Sequence, residues 1–215
     1  MELVNHIDKI KVNQIKDDQC IVFIGYAFDK QGDELEYELL VNGELCSLRK
    51  SNMMRKDVAT RFPKYNLSPK CGFYIKSESI VKEIYSVELI AKNEKDKQTI
   101  VSLNGNAVKK HISTKSVEYN VDSVTWETND NFKCVIRGYA FSLVKGKDLS
   151  FSIVDNKNRK IESSHIMNNR EDIYKLFMLE ENEKYCGFEV KFMGEEKANY
   201  KLIISNGEDE VKCDI

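Results

Sequence analysis

The tetrapeptide Gly25-Tyr26-Ala27-Phe28 recurs as Gly138-Tyr139-Ala140-Phe141, and this repeat decides how the chain is organised. Further matches follow in the same order: Leu35–Leu39 with Leu149–Ile153, Arg55–Val58 with Arg170–Ile173, Phe62 with Phe177, Cys71–Phe73 with Cys186–Phe188, and Tyr85–Leu89 with Tyr200–Ile204. The offset is 113 residues at the first block, 114 at the second and 115 thereafter, which indicates two one-residue insertions. We therefore predict a tandem duplication of one domain.

A chain of 215 residues can hold two domains of ordinary size. The repeat period is far longer than that of a solenoid, so each copy should be self-contained. We place the first domain at 1–103, a linker at 104–116 and the second domain at 117–215. The linker is inferred from the turn formers Asn104-Gly105-Asn106 and the short basic run Lys109-Lys110-His111.

Alternating apolar residues predict strands in each copy. Leu35, Tyr37 and Leu39 alternate with glutamates, as in a half-buried strand. This strand runs into Asn42-Gly43, the preferred pair for a type I′ turn, so Leu45–Leu48 should return beside it as a hairpin. Several short strands per copy, separated by turns, favour an immunoglobulin-like β-sandwich over other antiparallel sandwiches.

The period of two is interrupted once in each copy. Val58 and Phe62, like Ile173 and Phe177, are four residues apart, which predicts a single helical turn packed on the sandwich. Asp57 and Asp172 are predicted to cap these turns. The predicted fold class is therefore all-β: two tandem immunoglobulin-like β-sandwich domains from an internal duplication, each with one short helical turn.

Composition limits the partners. The net charge of −2, from 33 basic and 35 acidic side chains, is too balanced to drive binding to nucleic acid. No stretch approaches the ~20 apolar residues that span a bilayer, so membrane insertion is not expected. The first residues resemble no signal peptide. We expect a cytoplasmic protein, held at the inner membrane face through a partner, or a cell-surface protein if a longer parent carries a signal peptide.

The search for catalytic motifs finds none. No G-x-S-x-G, G-x-G-x-x-G or P-loop string occurs. His6, His111 and His165, predicted at a terminus, in the linker and in a loop, lack the spacing of a metal site. The six cysteines form no C-x-x-C pair and are read as free core thiols. We predict no enzyme activity, no cofactor and no metal.

The repeated Arg-x-Asp has two interpretations. In the structural one, each aspartate caps a helical turn while Arg55 and Arg170 bind loop carbonyls or the same aspartates. In the functional one, these loops bind a ligand through Arg55, Asp57 and Tyr65 in the first copy and through Arg170 and Asp172 in the second, since a guanidinium can clamp sugar hydroxyls or anions. The aromatic residues of the Gly-Tyr-Ala-Phe blocks, with Trp126, are read as core rather than as a sugar-stacking platform.

Taken together, the Gly-Tyr-Ala-Phe block, the Asn-Gly hairpin, the Arg-x-Asp turn and Cys-Gly-Phe resemble an accessory β-sandwich module of bacterial surface-glycan proteins. Similar modules occur beside glycosyltransferase catalytic domains that build cell-surface polysaccharide and in wall-associated proteins. The resemblance covers both copies but is closer in the first. Asp29 and Pro63 match the pattern there, whereas the second copy has Ser142 and Met178.

This resemblance implies a non-catalytic module that contacts a saccharide acceptor or the adjoining glycosyltransferase domain. The alternative is a structural or protein-interaction spacer with no small-molecule ligand. An enzymatic alternative would require a cleft between the two copies that joins carboxylates distant in sequence. The residues shared by the copies are mostly those that the fold needs, so binding specificity is expected where the copies differ.

Overall fold

The computed structural model describes residues 1–15, 18–78, 80, 83–127, 133–195 and 198–215. The chain divides into two compact units. One contains Met1–Thr114 with Leu176–Met178, and the other contains Lys115–Lys175 with Leu179–Ile215. We refer to residues 1–114 as the first domain and to residues 115–215, which include Leu176–Met178, as the second domain.

The first domain is built from strands and short helices. In chain order they are β1 (Leu3–Ile15), β2 (Asp18–Asp29), β3 (Glu36–Val41), β4 (Glu44–Cys46), β5 (Leu48–Met53), α1 (Lys56–Arg61), a 3-10 turn (Pro63–Tyr65), β6 (Gly72–Ser77), β7 (Ser86–Lys92), β8 (Lys97–Asn104), α2 (Asn106–Lys109) and β9 (Ile112–Ser113). One sheet has the order β5-β6-β2-β1-β9 and the other has the order β4-β3-β7-β8.

The second domain repeats this plan. Its elements are β10 (Val117–Glu127), β11 (Lys133–Ser142), β12 (Ser150–Asp155), β13 (Lys160–Ile161), β14 (Ser163–Asn168), α3 (Glu171–Phe177), a 3-10 turn (Glu181–Glu183), β15 (Gly187–Met193), β16 (Tyr200–Ser205) and β17 (Glu210–Asp214). The sheets have the orders β10-β11-β15-β14 and β13-β12-β16-β17. Apart from β9, the two domains share one strand order.

This strand order is that of an immunoglobulin-like sandwich. The first two strands pair with the fifth and sixth in one sheet, and the third, fourth, seventh and eighth form the other. These are the A-B-E-D and C′-C-F-G sheets of the immunoglobulin fold. Described pairs among these strands are antiparallel. The predicted fold class is therefore confirmed.

Each domain has its own apolar core between its sheets. Fully buried side chains of the first domain include Phe23, Leu39 and Leu89. Ile153 and Leu202 are completely buried in the second. The alternation read from the sequence is the physical cause, because every second side chain of a strand faces the opposite sheet.

The predicted hairpin turn is present. Asn42 and Gly43 have φ values of 55° and 82°, as a type I′ turn requires. The returning strand is shorter than predicted, since only Glu44–Cys46 pairs with β3. Leu48 already belongs to β5, which pairs with β6 in the opposite sheet.

Both predicted helical turns are present as α1 and α3. Asp57 and Asp172 do not occupy the position before their helices, but each carboxylate accepts hydrogen bonds from backbone amides of the first turn, as the predicted capping role requires. The residue before α1 is Arg55, which makes no side-chain cap hydrogen bond. Asp57 and Asp172 each lie one residue inside the helix, where a negative charge still favours the first turn.

Residues 104–116 differ from the predicted linker. They contain the end of β8, α2 and β9. Val108 is completely buried in the first core, and Ile112 and Ser113 pair with β1 in parallel. The burial of Val108 and the pairing of β9 hold this stretch against the first domain, although turn-forming residues surround it. Most of residues 104–116 therefore belongs to the first domain.

The predicted offset of 115 residues is wrong for the last strands. Leu39 pairs with Leu89, and its counterpart Ile153 pairs with Leu202. The offset between Leu89 and Leu202 is therefore 113, not 115. The connection before β16 is shorter in the second copy, and a shift of two residues leaves the same side chains facing inward.

All six cysteines lie in the described part of the chain and are free. Only Cys134 and Cys186 are buried, so the predicted core placement holds for two of them. In the ranges that the structure describes, no helix is long and apolar enough to cross a membrane.

Candidate functional site

Arg55 is the centre of a charged cluster in the first domain. Its Nε and Nη2 donate to the two carboxylate oxygens of Asp57 at 3.0 and 2.9 Å. Its Nη1 donates to Oδ2 of Asp8, and its guanidinium lies 5.2 Å from the centre of the Tyr26 ring. We call Asp8, Arg55 and Asp57 the first clamp.

The second domain has an equivalent clamp of Asp122, Arg170 and Asp172. Nε and Nη2 of Arg170 donate to Asp172 at 2.8 Å each. Its Nη1 donates to Oδ2 of Asp122 at 2.6 Å. The two clamps thus have the same donors, acceptors and bidentate geometry.

Asp8 and Asp122 were not identified from the sequence. Each lies in a β-bulge, because the pairing of β1 skips Asp8 and the pairing of β10 skips Asp122. A bulge turns one side chain away from the regular alternation. The interrupted period of two in β1 and β10 is the signal that could have located them.

Glycines make room for the clamps. A Cβ on Gly72 would lie 2.5 Å from Cγ of Arg55, and one on Gly187 would lie 2.5 Å from Cγ of Arg170. The glycine of the Cys-Gly-Phe repeat therefore leaves space for the methylene groups of the arginine side chain. The preceding cysteines also contact this turn, with Sγ of Cys71 3.9 Å from the carbonyl oxygen of Arg55.

The clamps stabilise the charged forms of their members. The hydrogen bond from Arg55 lowers the pKa of Asp57, and the hydrogen bond from Arg170 lowers the pKa of Asp172. The same bonds raise the pKa of both arginines. The pKa shifts favour the ionised forms of Asp57 and Asp172, and each guanidinium already binds two carboxylates.

This geometry matches the structural interpretation of Arg-x-Asp, in which the arginine binds its own aspartate. The arginine side chains are only 19% and 28% exposed. A ligand would meet Asp57 and Asp172, which are 66% and 63% exposed, more readily than the guanidinium groups. The clamps can accept hydrogen bonds from hydroxyls through these oxygens.

Tyr65 belongs to a small apolar cluster apart from the main core of the first domain. Tyr26, Phe28 and Val58 are its buried members. The Tyr65 ring is partly buried, with its centre 5.6 Å from that of Phe28 and the Lys64 ammonium 4.8 Å from it. Tyr65 therefore packs α1 and its following turn onto β2, and the first clamp adjoins the same cluster through the Tyr26 ring.

The other aromatic residues read as core are also packed. Phe28 and Phe141 are 7% and 6% exposed. Trp126 is partly buried against Phe192 and Tyr200, with ring centres 5.8 and 6.1 Å away. These rings are not available as a platform for stacking on sugars.

A cleft of about 440 Å³ lies in the second domain and was not anticipated from the sequence. It lies between the end of β11, the connection from β11 to β12, Met167 of β14 and the segment that follows α3. Its lining residues are Ala140, Phe141, Ser142, Val144, Lys145, Gly146, Lys147, Asp148, Leu149, Met167, Glu180, Asn182, Glu183, Tyr185 and Cys186. This volume is typical of small-ligand sites.

The cleft combines an exposed ring with polar groups. The Tyr185 side chain is 56% exposed and Met167 is 37% exposed. The ammonium of Lys145 lies 3.0 Å from Oε1 of Glu180 in an ion pair at this site. Asn182 adds an amide, which both donates and accepts hydrogen bonds.

The histidines do not form a site. His6 lies near the N-terminus in β1, and His165 lies in β14, so its predicted position in a loop is wrong. Within the described ranges, no group of three or more His, Cys, Asp or Glu side chains is arranged to hold a metal ion.

Comparison with known proteins adds little beyond the fold. No family model and no curated protein matches the chain. Two solved structures of a marsupial T cell receptor are similar to the whole chain at 8% and 9% identity, with TM-scores of 0.31 and 0.28. The match covers 62% of the first receptor chain and 96% of the second. Structural similarity at this level supports no assignment of family or function. The fold class rests on the strand order.

Proposed function

We propose that this chain is a non-catalytic binding module of a bacterial surface-polysaccharide protein and that it contacts a saccharide acceptor. The cleft of the second domain is the observation that carries this proposal. The chemistry of saccharide recognition is an exposed aromatic ring that covers a sugar face, with amide and charged groups that bind its hydroxyls. Tyr185, Asn182 and the Lys145–Glu180 pair supply these groups.

The charge of the cleft favours a neutral or amino sugar over a strongly anionic one. Two lysines, Lys145 and Lys147, face three carboxylates, Asp148, Glu180 and Glu183. Lys145 is engaged with Glu180, and Lys147 lies 3.2 Å from Glu208. The excess of carboxylates would repel an anion.

A titration with bacterial surface oligosaccharides, followed by backbone amide NMR, tests the proposal. We expect shifts in residues 140–149 and 180–186. The change Tyr185→Ala should weaken binding about ten-fold by removing the stacking ring. Tyr85→Ala is a matched control, because Tyr85 is 60% exposed but lies in the first domain. No response to any oligosaccharide would overturn the proposal.

The same titration tests the Arg-x-Asp loops as ligand sites. If Arg55, Asp57 and Tyr65 or Arg170 and Asp172 bind saccharide, then Arg55→Ala or Arg170→Ala should abolish the shifts. We expect these variants to bind normally, because both guanidinium groups are occupied by carboxylates of their own domain.

A spacer without a small-molecule ligand is the second candidate. Both clamp arginines bind carboxylates of their own domain, so the repeated polar residues stabilise the fold rather than bind a ligand, and this favours the spacer. Contact with an adjoining glycosyltransferase domain is the second form of the binding-module proposal, and it needs no small-molecule ligand either. An unresponsive titration, together with binding to such a domain, would support it.

A further inference from the structure

The two domains carry connecting segments of equal length between the clamp arginine and the Cys-Gly-Phe strand. The amide of Arg55 donates to the carbonyl of Pro69 at 2.6 Å, and the amide of Arg170 donates to that of Lys184 at 3.0 Å. These bonds join the same two positions in each copy. The segments 56–70 and 171–185 can therefore be compared position by position.

Between these anchors the backbone takes different paths. In the first domain, a 3-10 turn over Pro63–Tyr65 follows α1, and the left-handed residue is Asn66, with φ of 47°. In the second domain, α3 continues to Phe177 and the left-handed residue is Met178, with φ of 52°. Pro63 stands at the position of Met178, and the proline ring, which fixes φ near −65°, excludes that conformation.

Phe28 and Phe141 are equally buried, at 7% and 6% exposure, but the path decides which side chains of the connecting segment lie beside them. In the first domain, Tyr65 and Leu67 pack against the cluster that contains Phe28. In the second domain, the corresponding residues are Glu180 and Asn182, which line the cleft beside Phe141. Tyr185 stands at the position of Lys70, so the second domain also gains an exposed ring.

We infer that the duplicated domains have diverged into a closed copy and an open copy. Tyr65 and Leu67 close in the first domain the recess that Glu180 and Asn182 leave open in the second, and Pro63 contributes only by fixing the backbone path. Ligand binding is thereby confined to the second domain, where Glu180, Asn182 and Tyr185 determine specificity. The identity of the ligand as a saccharide rests on the proposed function, but the closing of the recess does not.

Exchange of the segment tests the inference. The variant M178P/L179K/E180Y/E181N/N182L gives the second domain the five residues of the first. We expect at least a ten-fold loss of oligosaccharide affinity. The tyrosine ring introduced by E180Y should show nuclear Overhauser contacts to Phe141, as Tyr65 should show to Phe28 in the unmodified chain. The single variant E180Y covers the case in which the exchange prevents folding.

The reciprocal variant P63M/K64L/Y65E/N66E/L67N is the matched control in the first domain. It should lose the contacts to Phe28 and leave binding by the second domain unchanged. Ligand-induced shifts in the unmodified first domain, or a fully exchanged second domain that keeps its affinity, would overturn the inference.

The outcomes separate the two proposals. If no saccharide binds the unmodified chain, the proposed function fails, and the contacts between the introduced tyrosine and Phe141 decide the inference. Their presence supports closing of the recess, and their absence in a folded variant overturns it.

Discussion

Arg55 and Arg170 each join three parts of a domain: a bulge in the first strand, the start of a helix, and the glycine beside the arginine stem. Removing a guanidinium with three such contacts should destabilise the domain more than removing one partner of an isolated surface ion pair. The reason is that two carboxylates are then left close together without a counter-charge. Mutation of the clamps should therefore affect stability more than binding.

We expect Arg55→Ala and Arg170→Ala each to lower the free energy of unfolding by about 1–2 kcal/mol at neutral pH. Chemical denaturation followed by circular dichroism measures this loss. Arg49→Ala, in the exposed part of β5, is the control and should change stability by less than about 0.5 kcal/mol. Equal losses in all three variants would contradict a special role for the clamps.

The clamp contribution should also depend on pH. The pKa values of Asp57 and Asp172 are lowered in the folded state, so their stabilisation is present above the unfolded pKa of about 3.9. It is lost as the pH falls through the folded values. The difference between the unmodified chain and the arginine variants should be constant above about pH 5 and shrink below about pH 4.

At the scale of elements, the bulges in β1 and β10 depend on glycines in the neighbouring strand. A Cβ on Gly25 would lie 2.3 Å from the carbonyl oxygen of His6, and one on Gly138 would lie 2.1 Å from that of Asn120. Both obstacles are backbone atoms, which cannot rotate away. The glycine of the repeated tetrapeptide thus allows the bulge that directs an aspartate to the clamp.

We expect Gly138→Ala to lower the free energy of unfolding by about 2–3 kcal/mol, because the sheet must open to admit the methyl group. Denaturant unfolding gives the value. Ala140→Gly, in the same strand, removes a buried methyl group and should cost about 1 kcal/mol. A smaller loss for Gly138→Ala than for this control would refute the steric argument.

Local elements were predictable to different degrees. The Asn42-Gly43 turn and both helical turns could be read from the sequence, because turn conformation and apolar spacing depend on adjacent residues. The bulge aspartates could not, since a bulge is defined by the pairing of two strands. The capping role assigned to Asp57 is shared with a second one, because its carboxylate accepts hydrogen bonds both from first-turn amides and from Arg55.

At the scale of the whole molecule, the chain between the predicted domains matters most for stability. Val108 is completely buried in the first core, and β9 adds a strand to the β1 edge. Residues 104–114 therefore complete the first domain rather than separate it from the second.

A fragment of residues 1–114 should accordingly be more stable than one of residues 1–103. Burial of Val108 alone is worth about 1.5–3 kcal/mol. Thermal and urea unfolding of the two fragments would measure the difference. Val108→Ala within the longer fragment is the control for this side chain. Equal stability of both fragments would show that residues 104–114 act as a linker, as the sequence predicted.

The sequence by itself determined the duplication, the all-β class and the alternation that builds two sandwich cores. These follow from local periodicity and from a repeat visible in residue order. Only the tertiary structure decided that Asp8 and Asp122 complete the clamps, that 104–114 belongs to the first domain, and that the last strands align with an offset of 113. It also located the cleft of the second domain. Each of these depends on contacts between residues far apart in the chain, whose pairing is set by packing rather than by neighbouring residues.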